Sequence, residues 1–319
     1  MIYVANVAAF VVIITLQYSG ALFALTGYTD WQFYALVISG LDVSDGHFGG
    51  ILQFFARAFG DASIVVWHAT VSVYAWYVLS KTQTQLVNAR RWCALVLSVN
   101  PFIYVLLAGV FKEALLLYPL VQIIAFGRGA AHRCRPRIRA ALPFLTASVV
   151  VLLIRPHLFP LVIFAATRSV AFTVATLPLP FFFSALIGQE PFAVIGASVD
   201  EIEGLSLHDM PTRPPTSLSD LVYTPLNIAT MLVYWVFSSS HVIRVAGLVQ
   251  FAALLCDHLR RRKSCLPGAT NTIWFLFSYI AVYAMVASNS GTSARIVSFA
   301  CLLYLIAGLR ESRPRNQSV

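Results

Sequence analysis

Four short clusters of lysine and arginine, each abutting a long apolar run, constrain this chain more than any other feature. They are Lys81/Arg90/Arg91, then Arg128/Arg133/Arg135/Arg137/Arg139, then Arg260/Arg261/Arg262/Lys263, then Arg310/Arg313/Arg315. A charged side chain is expensive inside hydrocarbon, whereas basic residues gather beside membrane spans on the cytoplasmic side. Several of the apolar runs reach the roughly 20 residues that a helix needs to cross a bilayer. Composition agrees: 59% of the residues are hydrophobic and 11% charged, against about 25% charged in an ordinary soluble protein. The mean hydropathy is +0.77. The sequence therefore predicts an all-α, polytopic integral membrane protein with about 8–10 transmembrane helices, some broken or re-entrant. Residues 1–319 form one transmembrane domain, with a polar external loop at 189–220. The net charge of +9 records orientation in the membrane; nucleic-acid binding is excluded because each cluster is short and borders a span.

With the clusters placed in the cytoplasm, the chain can be threaded. A first helix over 3–26 runs outward from a cytoplasmic N-terminus; it lacks the basic start of a signal peptide. Residues 51–59 carry apolar positions at helical spacing and one arginine, which predicts a short interfacial helix. A helix over 62–80 returns to Lys81. The run from Trp92 to Phe126 is too long for one span and predicts a hairpin with its tip near residues 109–113. A helix from Arg139 reaches the outer face near Arg155. Segments 158–188 and 222–239 are interrupted and predict elements that enter without crossing fully, while 241–257, 272–288 and 295–309 complete the set. The competing threading makes 158–188 and 222–239 full spans and turns the acidic loop between them inward. Both termini are cytoplasmic in the first arrangement.

Seven basic residues then stand outside the clusters: Arg57, Lys112, Arg155, Arg168, Arg213, Arg244 and Arg295. Most fall in the outer half of the membrane, against the usual bias, so each asks for a partner. Arg155 ends a long apolar run, with Pro156 and His157 beside it. Arg295 opens a late helix, where its charge opposes the helix dipole. An anion held jointly by Arg295 and the backbone N–H groups of the preceding Gly-Thr-Ser turn would relieve that opposition. Arg155, Arg295 and Lys112 are thus expected to form a cationic site, with Arg168 as a further candidate. The ordinary alternative for each is a rim arginine reaching toward lipid phosphates. Lys112-Glu113 reads either as a local pair at a turn or as a cation with an acid–base carboxylate. His157 and Asp42 (or Asp30) are the other proton-transfer candidates. No HxxxH, HExxH or DxD spacing predicts a metal site, and no cofactor motif is present.

Arg155-Pro156 after a long helix, Phe111-Lys112-Glu113 at a hairpin tip, and Asn289 to Arg295 in the pattern Asn-x-Gly-Thr-x-x-Arg together carry a resemblance. Over roughly residues 100–300 the chain resembles bacterial polysaccharide-assembly membrane proteins, namely Wzy-type O-antigen polymerases and EpsG-like exopolysaccharide proteins. It departs from them at Val236 to His241, where a second Arg-Pro-like element is expected. The resemblance implies a glycosyltransferase-type polymerase of the bacterial inner membrane. Such an enzyme joins undecaprenyl-diphosphate-linked oligosaccharide units at the periplasmic face, without a nucleotide sugar. Its partners would be the lipid-linked oligosaccharide diphosphate and membrane lipids, with a flippase and a chain-length regulator as candidate protein partners. Arg155, Arg295 and Lys112 would hold the diphosphate, and His157 or an external aspartate would accept the proton. Tyr28, Trp31, Phe33, Tyr223 and Trp235 could stack on sugars or belong to an aromatic belt. A transporter or flippase of lipid-linked sugars, and a non-catalytic subunit of an assembly complex, are the competing classes. An enzyme predicts Lys112, Arg155 and Arg295 around one outward-open cleft with a carboxylate or histidine within reach; a transporter predicts a pathway reaching the other face, and a scaffold predicts dispersion.

Overall fold

The computed structural model describes residues 1–21, 46–89, 100–108, 112–129, 138–155, 158–167, 169, 171–172, 175, 210–212, 218–238, 240–262, 278–281, 283–284 and 290–311. Among these the chain is all-α, with no strand.

Helix α1 (Ile2–Tyr18) is shorter than the expected 3–26. Gly20 takes φ 74 and its N–H donates to the Gln17 carbonyl, a left-handed glycine closure that stops the helix. Helix α2 (Gly46–Phe59) contains the expected short helix and leads through a 3-10 turn at Gly60–Ala62 into α3 (Ser63–Ala89). The axis bends by 111° there. Gly60 supplies φ 52 for the corner, and the Ser63 hydroxyl donates to the Gly60 carbonyl. Phe55 packs edge-on against Trp67 with ring centroids 5.2 Å apart, fixing α2 on α3. Helix α3 does not stop at Lys81 as expected. Ser80, Thr82 and Gln83 are buried, so the helix gains contacts by continuing to Ala89.

The break expected at the tip of the 92–126 segment lies between α4 (Pro101–Ala108) and α5 (Lys112–Gly129). The two helices meet at 99°, however, rather than folding back as a hairpin. Helix α4 is buried at every position from Phe102 to Ala108, so neighbours on all sides, and not α5 alone, decide its direction. Pro101 occupies its first position, where no N–H is missed, and the Phe102 N–H donates to Asn100 Oδ1 at 3.0 Å as a side-chain cap. At the other end Ser72 Oγ donates to the Ala108 carbonyl at 3.3 Å.

Helix α6 (Ile138–Ile154) packs lengthwise on α5, with Phe126 and Phe144 stacked 4.2 Å apart. After Arg155 the chain turns through a Leu158 N–H bond to the Arg155 carbonyl and enters α7 (Phe159–Thr167), which also lies on α5. Only this short helix and isolated residues represent the segment 158–188. The segment 222–239 is broken as expected: α8 (Thr224–Leu232) ends at Val233, a single turn spans Tyr234–Phe237, and Ser238 is extended. Arg244 Nε donates to the Ser238 carbonyl at 2.6 Å, closing that break from α9 (His241–Arg262). A Cβ on Gly247 would lie 2.5 Å from Trp235 Cβ, so the bare glycine lets α9 approach the Tyr234–Phe237 turn. Trp235, a candidate for sugar stacking, is committed to this packing and to the Phe251 ring. The last described helix, α10 (Ser290–Glu311), is buried from Ser293 to Ile306. Helices α4 and α10 touch each other and form the centre of the molecule.

Two neutral polar networks tie this centre to its surroundings. Asn6 Nδ2 donates to Ser80 Oγ at 2.8 Å and Gln83 Oε1 at 2.6 Å, and it accepts at Oδ1 from the Tyr104 hydroxyl at 2.8 Å. Asn100 Nδ2 donates to Gln250 Oε1, and Ser298 Oγ donates to the same oxygen at 2.9 Å. The outside is the reverse. Leu142, Leu145, Val149 and Leu153 form an exposed apolar stripe on α6, and Val242, Val245, Leu248 and Val249 do so on α9. No described helix alone is long and apolar enough to cross a membrane, whereas two bent pairs, α2 with α3 and α4 with α5, reach that length and composition together.

Candidate functional site

The junction of α4 and α5 places Lys112 and Glu113 in the first turn of α5. A carboxylate suits that end of a helix, because the exposed N–H groups carry positive charge. The Glu113 side chain is only 1% exposed. An ionised carboxylate that deep needs charged partners, and two arginines supply them.

Arg155 follows the last residue of α6, its N–H donating to the Val151 carbonyl at 2.7 Å. A cation at a helix C-terminus is favoured by the dipole. Its Nη2 donates to Glu113 Oε1 at 3.3 Å. Arg295 comes from α10 and brings Nε within 3.8 Å of the same oxygen. The side chains of Arg155 and Arg295 are 19% and 11% exposed. Glu113 thus meets both guanidiniums through one oxygen, and the three charges belong to three different helices. Two expectations change here. Helix α10 starts at Ser290, so Gly291, Thr292 and Ser293 lie inside its first turn instead of forming a loop before Arg295. The opposition between Arg295 and the dipole is met by a carboxylate of the protein itself.

An aromatic wall backs the cluster. The Arg155 guanidinium carbon lies 5.9 Å from the centroid of the Tyr283 ring. Tyr283 packs on Tyr279 with centroids 4.9 Å apart, and Tyr279 on Phe299 of α10 at 6.1 Å. All three rings are buried. Phe299 stands one helical turn after Arg295, so the contacts close a ring from Arg155 through Glu113, Arg295, α10 and the aromatics back to Arg155. At the edge, Ser293 Oγ donates to Met210 Sδ at 3.2 Å. Met210, within the polar segment 189–220, therefore touches the first turn of α10.

Of the residues expected at the site, Arg155, Arg295 and Glu113 come together, and Lys112 precedes Glu113 at the start of α5. Asp42, His157 and Arg168 lie outside the described residues, as do Tyr28, Trp31 and Phe33. Tyr279, Tyr283, Phe299 and Met210 were not anticipated. The spacing of Tyr279 and Tyr283, four apart in an apolar segment, marks one helix face, but nothing local says what that face meets.

Chemically, the cluster presents two planar forks, fixed by a shared carboxylate, whose geometry matches phosphate or carboxylate oxygens. Two guanidiniums against one carboxylate leave these three groups with an excess of positive charge. No family model, curated protein or solved structure matches this chain.

Proposed function

We propose that this chain is an integral membrane enzyme that joins lipid-diphosphate-linked oligosaccharide units into a longer glycan. The observation that carries the proposal is the meeting of Arg155 and Arg295 on the buried Glu113. Cations scattered along the chain gather at one point, as a site requires and a scaffold does not.

The membrane part of the reading is supported by an inverted distribution of side chains. Amides, hydroxyls and the charged cluster are inside, while leucines and valines line the outer faces of α6 and α9. Exposed apolar stripes of this extent are costly in water and neutral against lipid. Paired helices that reach spanning length only together suit a protein with broken elements, since irregular backbone at membrane depth is tolerated where protein surrounds it. The inner membrane of a bacterium, with the site toward the periplasm and both termini in the cytoplasm, follows from the basic clusters and the resemblance.

In the reaction, an acceptor sugar hydroxyl attacks the anomeric carbon of the donor glycan. The bond from that carbon to the diphosphate breaks, the lipid diphosphate leaves with the electron pair, and the hydroxyl proton passes to a base. The donor carries its own leaving group, so no nucleotide sugar is consumed. Arg155 and Arg295, with Lys112 and Arg168, neutralise the charge that grows on the diphosphate. Glu113 positions both guanidiniums. His157 and Asp42 are the candidate proton acceptors, and a flippase and a chain-length regulator are the candidate protein partners.

The test is the length of surface glycan in cells carrying Arg155→Ala or Arg295→Ala, with membrane levels of each variant measured. Loss of long chains with single units still displayed is the expected result. Loss of the single-unit product as well would point to export of the lipid-linked sugar instead. Unchanged chains from well-expressed variants would sink the proposal.

A further inference from the structure

The function proposed above assigns no role to the aromatic wall, yet the wall touches one arginine and is anchored beside the other. Tyr283 presents its ring to the Arg155 guanidinium at 5.9 Å. Behind it Tyr279 and Phe299 connect the ring to α10, which carries Arg295. The distance between the two guanidiniums therefore depends on two independent braces. One is Glu113, which draws both toward a single oxygen. The other is the aromatic wall, which limits where the Arg155 guanidinium can lie relative to α10.

Both braces have a reason to exist. A carboxylate alone would hold the guanidiniums and also compete with any anion for them. A ring face attracts a guanidinium through its quadrupole and, unlike a carboxylate, brings no negative oxygen to compete for the N–H donors. An arginine held against a ring keeps N–H donors for phosphate oxygens. Tyrosine is 2% exposed at this position, so the interaction is formed in a site from which water is largely excluded and where such contacts are strongest.

We propose that Tyr283 is a positioning residue, holding Arg155 in register with Arg295 so that the pair receives the two phosphates of a diphosphate. This rests on the anion-binding reading of the cluster. The requirement is for a flat ring, not for the phenol hydroxyl, and it acts through Arg155.

The experiment is titration of the full-length, detergent-solubilised chain with inorganic diphosphate, by calorimetry, for the wild type and for Tyr283→Phe and Tyr283→Leu. Phenylalanine keeps the ring face and should bind within about twofold of wild type; leucine removes it and should weaken binding about tenfold. In an Arg155→Ala background, where the cation facing the ring is already gone, the Tyr283→Leu step should cost less than about threefold, since a coupled pair is non-additive. Tyrosine fluorescence and thermal unfolding monitor the fold, and Tyr283→Met replaces the leucine variant if the latter unfolds. Equal binding by wild type and both apolar variants overturns the proposal. So does a phenylalanine variant as weak as leucine, which would make the hydroxyl the requirement, or an undiminished step in the Arg155→Ala background, which would mean that Tyr283 does not act through Arg155. If the wild type takes up no inorganic diphosphate, the anion reading itself fails and this role goes with it.

Discussion

The neutral network around Asn6 and the charged cluster around Glu113 each join segments far apart in the chain, and they differ in what they demand. Asn6 uses its amide to donate twice and accept once, and its partners are other neutral groups. Such contacts are worth about 1 kcal/mol each, and an apolar side chain of similar shape can replace the whole set at little cost. Glu113 holds two full charges at a similar depth. Desolvating them costs several kcal/mol per ion before attraction returns anything. A chain that needed only to fasten its helices had the neutral means available and used it in two places. The charged cluster is the expensive solution, and its cost points to a task beyond fastening.

Three variants test this contrast. The largest effect is expected from Glu113→Ala, which leaves two guanidiniums facing each other in a buried site; by analogy with other buried pairs the loss is about 3–5 kcal/mol. Denaturant unfolding in micelles measures it, and a loss below about 1 kcal/mol would place Glu113 among ordinary surface pairs. Next comes Asn6→Ala, which takes the partner from Gln83 Oε1 and from the Tyr104 hydroxyl proton while the Gln83 Nε2 bond to the Tyr104 oxygen at 3.4 Å remains; it should cost about 2 kcal/mol in the same assay. The smallest effect is expected from the triple replacement Asn6→Leu, Gln83→Leu and Tyr104→Phe. Removing all the main partners together should leave stability within about 1 kcal/mol of wild type and surface glycan length unchanged. If that triple variant instead shortens the glycan, the neutral network is more than fastening, and the contrast drawn here collapses.

Much of the architecture is legible in the residues, for reasons that are local. Gly109 marks the α4–α5 break, Arg155-Pro156 marks the end of α6, and the polar run from Ser238 to His241 marks the interruption before α9. Each is a change in backbone preference or polarity that the chain itself displays. Helix lengths were less legible. Lys81 reads as a terminus because charge commonly ends a span, yet its neighbours Ser80 and Gln83 are buried against Asn6 and carry α3 onward. The two arginines could be singled out by their cost in hydrocarbon. Glu113 could not be separated from a local pair with Lys112, because its partners arrive from α6 and α10. The same holds for Tyr283: a tyrosine in an apolar segment resembles any belt aromatic until the cation it faces is known.

The brevity of α4 has a consequence for how the protein is made. Its eight residues span about 12 Å, well short of the roughly 30 Å of hydrocarbon in a bilayer. On the proposed membrane reading, both ends of α4 come to rest at depth, where the Asn100 amide and the Ala108 carbonyl need hosts. Those hosts are Ser72 on α3, Gln250 on α9 and Ser298 on α10. The later two emerge from the ribosome long after residues 101–108. On that reading the segment would wait near the membrane interface until α10 is synthesised. The partners of α4 are completed last, and a chain stalled before α10 would leave the Asn100 amide without Gln250 and Ser298 or with Gln250 alone.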